Sequence, residues 1–234
     1  MLHATTSTSP FALSRWAALF QESASFFQGF LYTLGLSIGS LALAMLLGIL
    51  FAIMASSQNK FAQSCSRVFV EFFQNTPLLV HFVFVFYGLA IVSQGTIMIS
   101  AFWTGILCVG LYHGAYIAEV FRSGIEAVPK GQMEAALSQG FSYGESMRLI
   151  IIPQAIRTIL PPLTNQVVNL IKNTATVAII SGADIMFVAK SWAFESTNYV
   201  PAFAGAALLY FILCFPLASW GRRIEEANKQ TYTL

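Results

Sequence analysis

No Asp, Glu, Lys or Arg occurs between Phe72 and Ala118. A stretch this long without charge cannot face water, and it exceeds one bilayer crossing, since a spanning helix needs about 20 residues. Ser93-Gln94-Gly95-Thr96 divides it, which predicts one span over Phe69–Val92 and another over Met98–Phe121. The whole chain has the same character. Its 234 residues are 56% hydrophobic and 9% charged, whereas a soluble domain carries about 25% charged residues. An all-α integral membrane protein is the fold class these features predict.

Three further spans follow from the hydrophobic runs. The first covers Phe27–Ala55 and holds Thr33, Gly35, Gly39, Ala42, Ala44 and Gly48, small residues that let helices pack closely in lipid. A fourth runs from Ala155 to Ser181 and is expected to break at Pro161-Pro162. The fifth covers Val200–Trp220 and ends at Arg222-Arg223, after a polar connection from Asp184 to Tyr199. This divides the chain into an N-terminal segment, residues 1–26, a five-helix membrane domain, residues 27–221, and a tail, residues 222–234. His3–Pro10 is Ser/Thr-rich, and Phe11–Phe27 places aromatic residues beside Arg15 and Glu22, the pattern of an amphipathic helix on a membrane surface. Trp16, Trp192 and Trp220 fit interfacial anchors.

Charge placement sets the orientation. With five spans, Lys60, Arg67, Arg122, Lys130, Arg148, Arg222, Arg223 and Lys229 share one side, and Arg15 and Lys190 lie on the other. The basic side is the cytoplasmic one, so the N-terminus is expected outside and the C-terminus inside. The net charge of +2 gives no reason to expect a nucleic-acid partner. Cys65, Cys108 and Cys214 are scattered, without metal-ligand or disulfide spacing.

One long stretch between the runs, residues 122–153, reads as a folded cytoplasmic loop. Gly124 is expected to stop the preceding helix, and Pro129 to open a new one. Glu134-Ala135-Ala136-Leu137 favours helix, Gly140 ends it, and Ser142 with Glu145 three residues on is a capping box for the next. The exposed backbone around Ala135 and Ala136 would admit a partner groove.

This loop resembles the "EAA loop" of ABC import permeases. The match consists of Glu134-Ala135-Ala136, Gly140 and Ile151-Ile152-Pro153, flanked by Gly114-Ala-Tyr-Ile-Ala-Glu-Val-Phe-Arg122, Val128-Pro-Lys-Gly-Gln132, Pro153-Gln-Ala-Ile-Arg157, Pro161-Pro162-Leu163 and Lys172-Asn-Thr174. The ordered set, Phe69 to Asp184, is similar to the permeases for polar amino acids. The resemblance implies five transmembrane helices of the type I importer permease kind in a bacterial inner membrane. It implies that Lys130, Gly131, Glu134, Ala135, Ala136, Leu137 and Gly140 form a coupling helix docked on an ABC ATPase dimer. It also implies a second permease, either another copy or a paralogue, and a periplasmic or lipoprotein amino acid-binding protein. ATP and Mg would belong to the ATPase partner, and this chain would carry no cofactor of its own.

Substrate contacts are sought among polar groups within the spans, where an ionisable side chain is expensive and usually functional. Lys172 leads, with Asn169, Asn173 and Thr176 near it in the fourth span; Asn165 and Gln166 extend the polar character. A cationic amine near mid-membrane could pair with a substrate carboxylate, and no acidic residue nearby would hold a cationic side chain, which favours glutamate, aspartate or glutamine. Asn75 and Thr76 stand beside Pro77, which frees a helix carbonyl. Related permeases often carry an arginine and a small residue before this Thr-Pro, where this chain has Gln74-Asn75. His81 and His113 are expected to be packed and hydrogen-bonded. No lysine follows a glycine, so the chain holds no phosphate-binding G-x-x-x-x-G-K loop. It also has no H-E-x-x-H motif, and no catalytic residue or metal site is assigned. Two other classes compete: a secondary transporter, which needs an ion-coupling carboxylate in mid-membrane, and a scaffold recruiting a soluble partner, which leaves Lys172 without a role.

Overall fold

The computed structural model describes residue 9 and residues 11–231. The remainder of His3–Pro10, and Tyr232–Leu234 of the tail, lie outside the described residues. Among those described, every regular element is helical. In chain order they are α1 Leu13–Gln21, α2 Ser23–Ala55, α3 Lys60–Asn75, α4 Leu78–Val92, α5 Ala101–Glu126, α6 Lys130–Ser138, α7 Tyr143–Ile180, α8 Ile185–Ser196 and α9 Tyr199–Thr231. Three helices, α2, α5 and α9, are each long and apolar enough to cross a membrane; the number reaches five if the bent pairs α3–α4 and α7–α8 each count as one span.

α2 and α5 form the most extensive helix pair. Small residues on each helix receive large ones from the other. A side chain at Gly48 of α2 would begin 2.4 Å from Ile117 Cγ2, and one at Gly110 of α5 would begin 2.7 Å from Leu43 Cδ2. Leu36, Ala44, Val109 and Ile117 close the seam, joined by Phe82 of α4 and Leu170 of α7. Lipid tails are as apolar as these side chains, so close van der Waals packing holds the pair together. The pattern Gly35-Leu-Ser37-Ile-Gly39 on α2 formally matches the G-x-S-x-G of hydrolases. It lies inside a continuous helix, and the buried Ser37 hydroxyl donates to Thr33 O at 2.7 Å, so it belongs to this packing face.

The expected second span is a broken helix. α3 and α4 meet at 100°, because a residue before proline is driven into extended backbone, and Thr76 has φ −118° and ψ 138°. The carbonyls left at the end of α3 find local donors: Asn75 Nδ2 donates to Glu71 O at 2.7 Å, and Thr76 Oγ1 to Phe72 O at 2.6 Å.

The expected break at Pro161-Pro162 does not occur, and α7 passes through both prolines. Two other irregularities mark this helix. It widens into a π turn over Met147–Ile151, ahead of Pro153, which makes room for a ring that would clash with the preceding turn. It also tightens into a 3₁₀ helix over Thr174–Ile180.

The polar connection after Asp184 is also revised. Residues Ile185–Ser196 form α8, and Trp192, 9% exposed, packs edge-on against Phe26 in a core shared with α9. Trp192 is therefore a core residue, not an interfacial anchor. Asp184 is fully buried as the N-cap of α8, accepting from Met186 N, Phe187 N and Tyr210 Oη, while Thr33 Oγ1 accepts from Ile185 N. Sequence reasoning treated this carboxylate as part of a loop, and the structure shows one whose acceptor capacity is used by its own fold.

Gly124 does not stop a helix either. α5 continues to Glu126, and Gly124 is buried where α7 crosses, with Ile159 Cγ1 2.2 Å from the position a Cβ would take. Gly124→Ala must displace a β-branched side chain, and it is expected to lower stability by about 1–3 kcal/mol. A thermal unfolding midpoint in detergent that does not fall would contradict this packing.

Candidate functional site

The polar residues of α7 converge on the centre of α5. That helix has 26 residues and spans about 39 Å, with His113 at its midpoint. Gln166 and Asn173 lie two turns apart on α7, and both reach the His113 ring. Its Nδ1 lies 3.3 Å from Gln166 Oε1, and its Nε2 lies 3.0 Å from Asn173 Nδ2. With the amides turned this way the oxygen accepts and the nitrogen donates, an arrangement completed by a neutral His113 with its proton on Nδ1.

Beside this clasp lies a cavity of about 260 Å³. Asn169, Lys172 and Asn173 form one wall, Tyr112 and Tyr116 the other, with Gln166 and His113 joining them. The two tyrosine hydroxyls are 3.2 Å apart. Among the described residues Lys172 has no salt-bridge partner, and no carboxylate lines the cavity. One ammonium group, three amides and two hydroxyls suit a small polar molecule with an anionic group.

The structure therefore brings together Asn169, Lys172 and Asn173 of the expected substrate residues, but not the other three. Asn75 and Thr76 serve the end of α3 and do not line this cavity. Because the Thr76 proton goes to Phe72 O, its oxygen accepts from His81 Nε2 at 2.7 Å, and His81 Nδ1 is buried without a hydrogen-bond partner among the described residues. Thr176 was expected on the Lys172 face by α-helical spacing. The 3₁₀ turn begins at Thr174 and changes the angle per residue, and Thr176 does not line the cavity. Sequence reasoning noted Gln166 and His113 separately and passed over Tyr112 and Tyr116. The available signal was the spacing of Gln166, Asn169 and Asn173, by three and then four residues, facing a lone histidine in an apolar helix.

The second candidate region is α6 with its flanking turns. Lys130, Gly131, Glu134, Ala135 and Gly140 are exposed, Leu137 is 46% exposed despite being apolar, and Ala136 is buried. Gly140 has φ +91°, the left-handed conformation glycine accepts readily. With it, Phe141 N donates to Ala136 O at 3.2 Å and Gly140 N to Leu137 O at 3.1 Å, a Schellman ending. The Ser142–Glu145 capping box then starts α7. Beneath the loop, Val128, Ile151, Ala155 and Ile159 form a core against which Met133 and Met147 pack. The short helix is thereby fixed to the ends of α5 and α7, and a push on it reaches both. Nearby, Arg122 bridges Glu119 and Glu126 along α5.

Residues 44–230 match the family described as binding-protein-dependent transport system inner membrane component. The chain belongs to this family of multi-pass inner membrane proteins. It is 36% identical over 215 residues to the probable glutamine ABC transporter permease protein GlnM of Bacillus subtilis (strain 168), an alignment covering 92% of this chain and 98% of that protein. It is also 31% identical to the glutamate/aspartate import permease protein GltJ of Escherichia coli (strain K12), covering 79% of each. Among solved structures, a crystal structure of an amino acid ABC transporter with histidines superposes with a TM-score of 0.83 at 31% identity, covering 91% of this chain and 98% of that one. An inward-facing form of the MetNI methionine ABC transporter shares the fold at a TM-score of 0.65 and 14% identity, covering 91% of this chain and 98% of that one. These relatives are permeases of amino acid transporters, and the likeness runs over most of the chain.

Proposed function

We propose that the chain is the membrane-spanning half of an ATP-driven importer for a polar amino acid, with glutamate, aspartate or glutamine as the favoured class. The observation that carries this reading is the cavity at the middle of α5, which sets the unpaired Lys172 among amides and excludes carboxylates from its lining. An α-carboxylate would meet Lys172, with Asn169 as a further polar contact. A cationic side chain would find no anionic partner. Relatives described for glutamine and for glutamate/aspartate support this class.

The motor is a separate polypeptide in this reading. An ABC ATPase dimer would receive one α6 from each of two permease chains, whether copies or paralogues, and hold ATP and Mg itself. Leu137 and the exposed backbone around Ala135 would contact the motor, while Ala136 is buried. Closure of the motor on ATP would draw the two α6 helices together. Because α6 is packed on α5 and α7, and those helices form the cavity walls, the movement would switch the cavity between outward and inward access. The substrate biases this switch only through contacts that differ between the two states. An amino acid-binding protein would deliver substrate from outside, with the N-terminus of the permease outside and its C-terminus in the cytoplasm.

Two substitutions test the two ends of the device in the reconstituted transporter. Lys172→Ala removes a charge-assisted contact and is expected to raise the substrate concentration for half-maximal uptake by about tenfold, with assembly intact; full transport at unchanged concentration dependence would make the lysine structural. Gly140→Val forces a β-branched residue into a left-handed turn, at about 1–2 kcal/mol or more. It is expected to leave ATP hydrolysis running while uptake falls, and normal uptake would reject α6 as the docking element.

A further inference from the structure

The amides in the cavity wall are two-ended, and each could present either its oxygen or its nitrogen to a ligand. His113 ties the two choices together. It is 1% exposed and held between α5 and α7, and its neutral ring has one donor and one acceptor. It takes the Nδ2 end of Asn173 at 3.0 Å and the Oε1 end of Gln166 at 3.3 Å. What remains for the cavity is Asn173 Oδ1, an acceptor, and Gln166 Nε2, a donor. Turning one amide over alone would set two like groups against the ring and leave a buried donor or acceptor unmade, which is the expensive outcome for polar groups away from water, so the two amides must present opposite ends to the cavity.

We propose that His113 is a positioning residue that holds the two amides of this wall to opposite polarity, one offering an acceptor and the other a donor, as Asn173 and Gln166 do in the arrangement seen. The cavity then recognises both ends of an α-amino acid: Asn173 Oδ1 accepts from the α-ammonium group, and Gln166 Nε2 with Lys172 holds the α-carboxylate. The proposal rests on the reading that the cavity takes the substrate. It goes further by assigning the ammonium contact, which a cavity without carboxylates must build from a neutral oxygen. It also gives the buried histidine a part in selection without contact with the ligand's carboxylate. The chemical class that fits is an α-amino acid whose two backbone charges are intact, in preference to a dicarboxylate or an amide acid of the same length.

The test is direct binding to the assembled permease–ATPase complex without the solute-binding protein, so that selection outside the membrane does not contribute. The probes are L-glutamate and L-glutamine, each paired with its analogue lacking the α-amino group, glutarate and 4-carbamoylbutanoate. The unmodified complex is expected to prefer the amino acid to its analogue by about tenfold. His113→Leu is expected to abolish that preference while analogue affinity stays within a small factor. His113→Gln, whose amide can accept from Asn173 and donate to Gln166, is expected to restore it. Asn173→Leu removes the same acceptor without opening the centre of α5, and it is expected to abolish the preference even if His113→Leu fails to assemble. Preference retained in both His113→Leu and Asn173→Leu, with Lys172→Ala still weakening every probe, would overturn the positioning role alone. If Lys172→Ala and Asn169→Ala leave every affinity unchanged, the cavity is not the substrate site and both readings fall.

Discussion

A backbone in hydrocarbon has no water to bond to, so each N–H and C=O must find its partner within the protein. Long helices satisfy this along most of the chain, and the places where the helices stop are the informative ones. At Pro77 the side chains of Asn75 and Thr76 take up the carbonyls at the end of α3. Before α8, Asp184 and Thr33 receive the amides that open the helix. At α6 the left-handed Gly140 and the Ser142 capping box close one helix and begin the next. Each break is thus finished with hydrogen bonds inside the protein, local ones at Pro77 and Gly140 and one reaching across to α2 before α8.

The same constraint shapes the polar interior. Gln166 and Asn173 are amides on a membrane helix, and they are tolerated because His113 pairs with both. This arrangement leaves Lys172 as the charged member of the cavity wall. The α5–α7 seam therefore does two jobs: its clasp satisfies polar groups at mid-helix, and its remaining functional groups line a space of amino acid size. Farther along, Val128 just past the end of α5 and Ile151, Ala155 and Ile159 of α7 hold the α6 loop in place. Cavity and loop share their supports, which gives mechanical force a short path between them.

Local features were the legible ones. Charge-free runs gave the apolar helices, and the Ser142–Glu145 spacing gave the capping box, because both signals lie within a few residues. Features that depend on contacts across the fold were not. Gly124 looked like a helix end, and its role is to admit Ile159 of another helix. Asp184 and Trp192 looked like surface residues of a connection until α8 folded them inward. The His113 clasp joins residues more than fifty positions apart, and the spacing along α7 marks only one side of it. Thr176 was misplaced because an α-helical period was extended across a 3₁₀ turn.

The account turns on the permease drawing its energy from a separate motor and not from an ion gradient of its own. The most direct measurement is accumulation of labelled amino acid in sealed vesicles carrying the permease, with the ATPase and binding protein either present or omitted. The account predicts accumulation that requires all components and hydrolysable ATP. Accumulation against a gradient in vesicles holding the permease alone would contradict it.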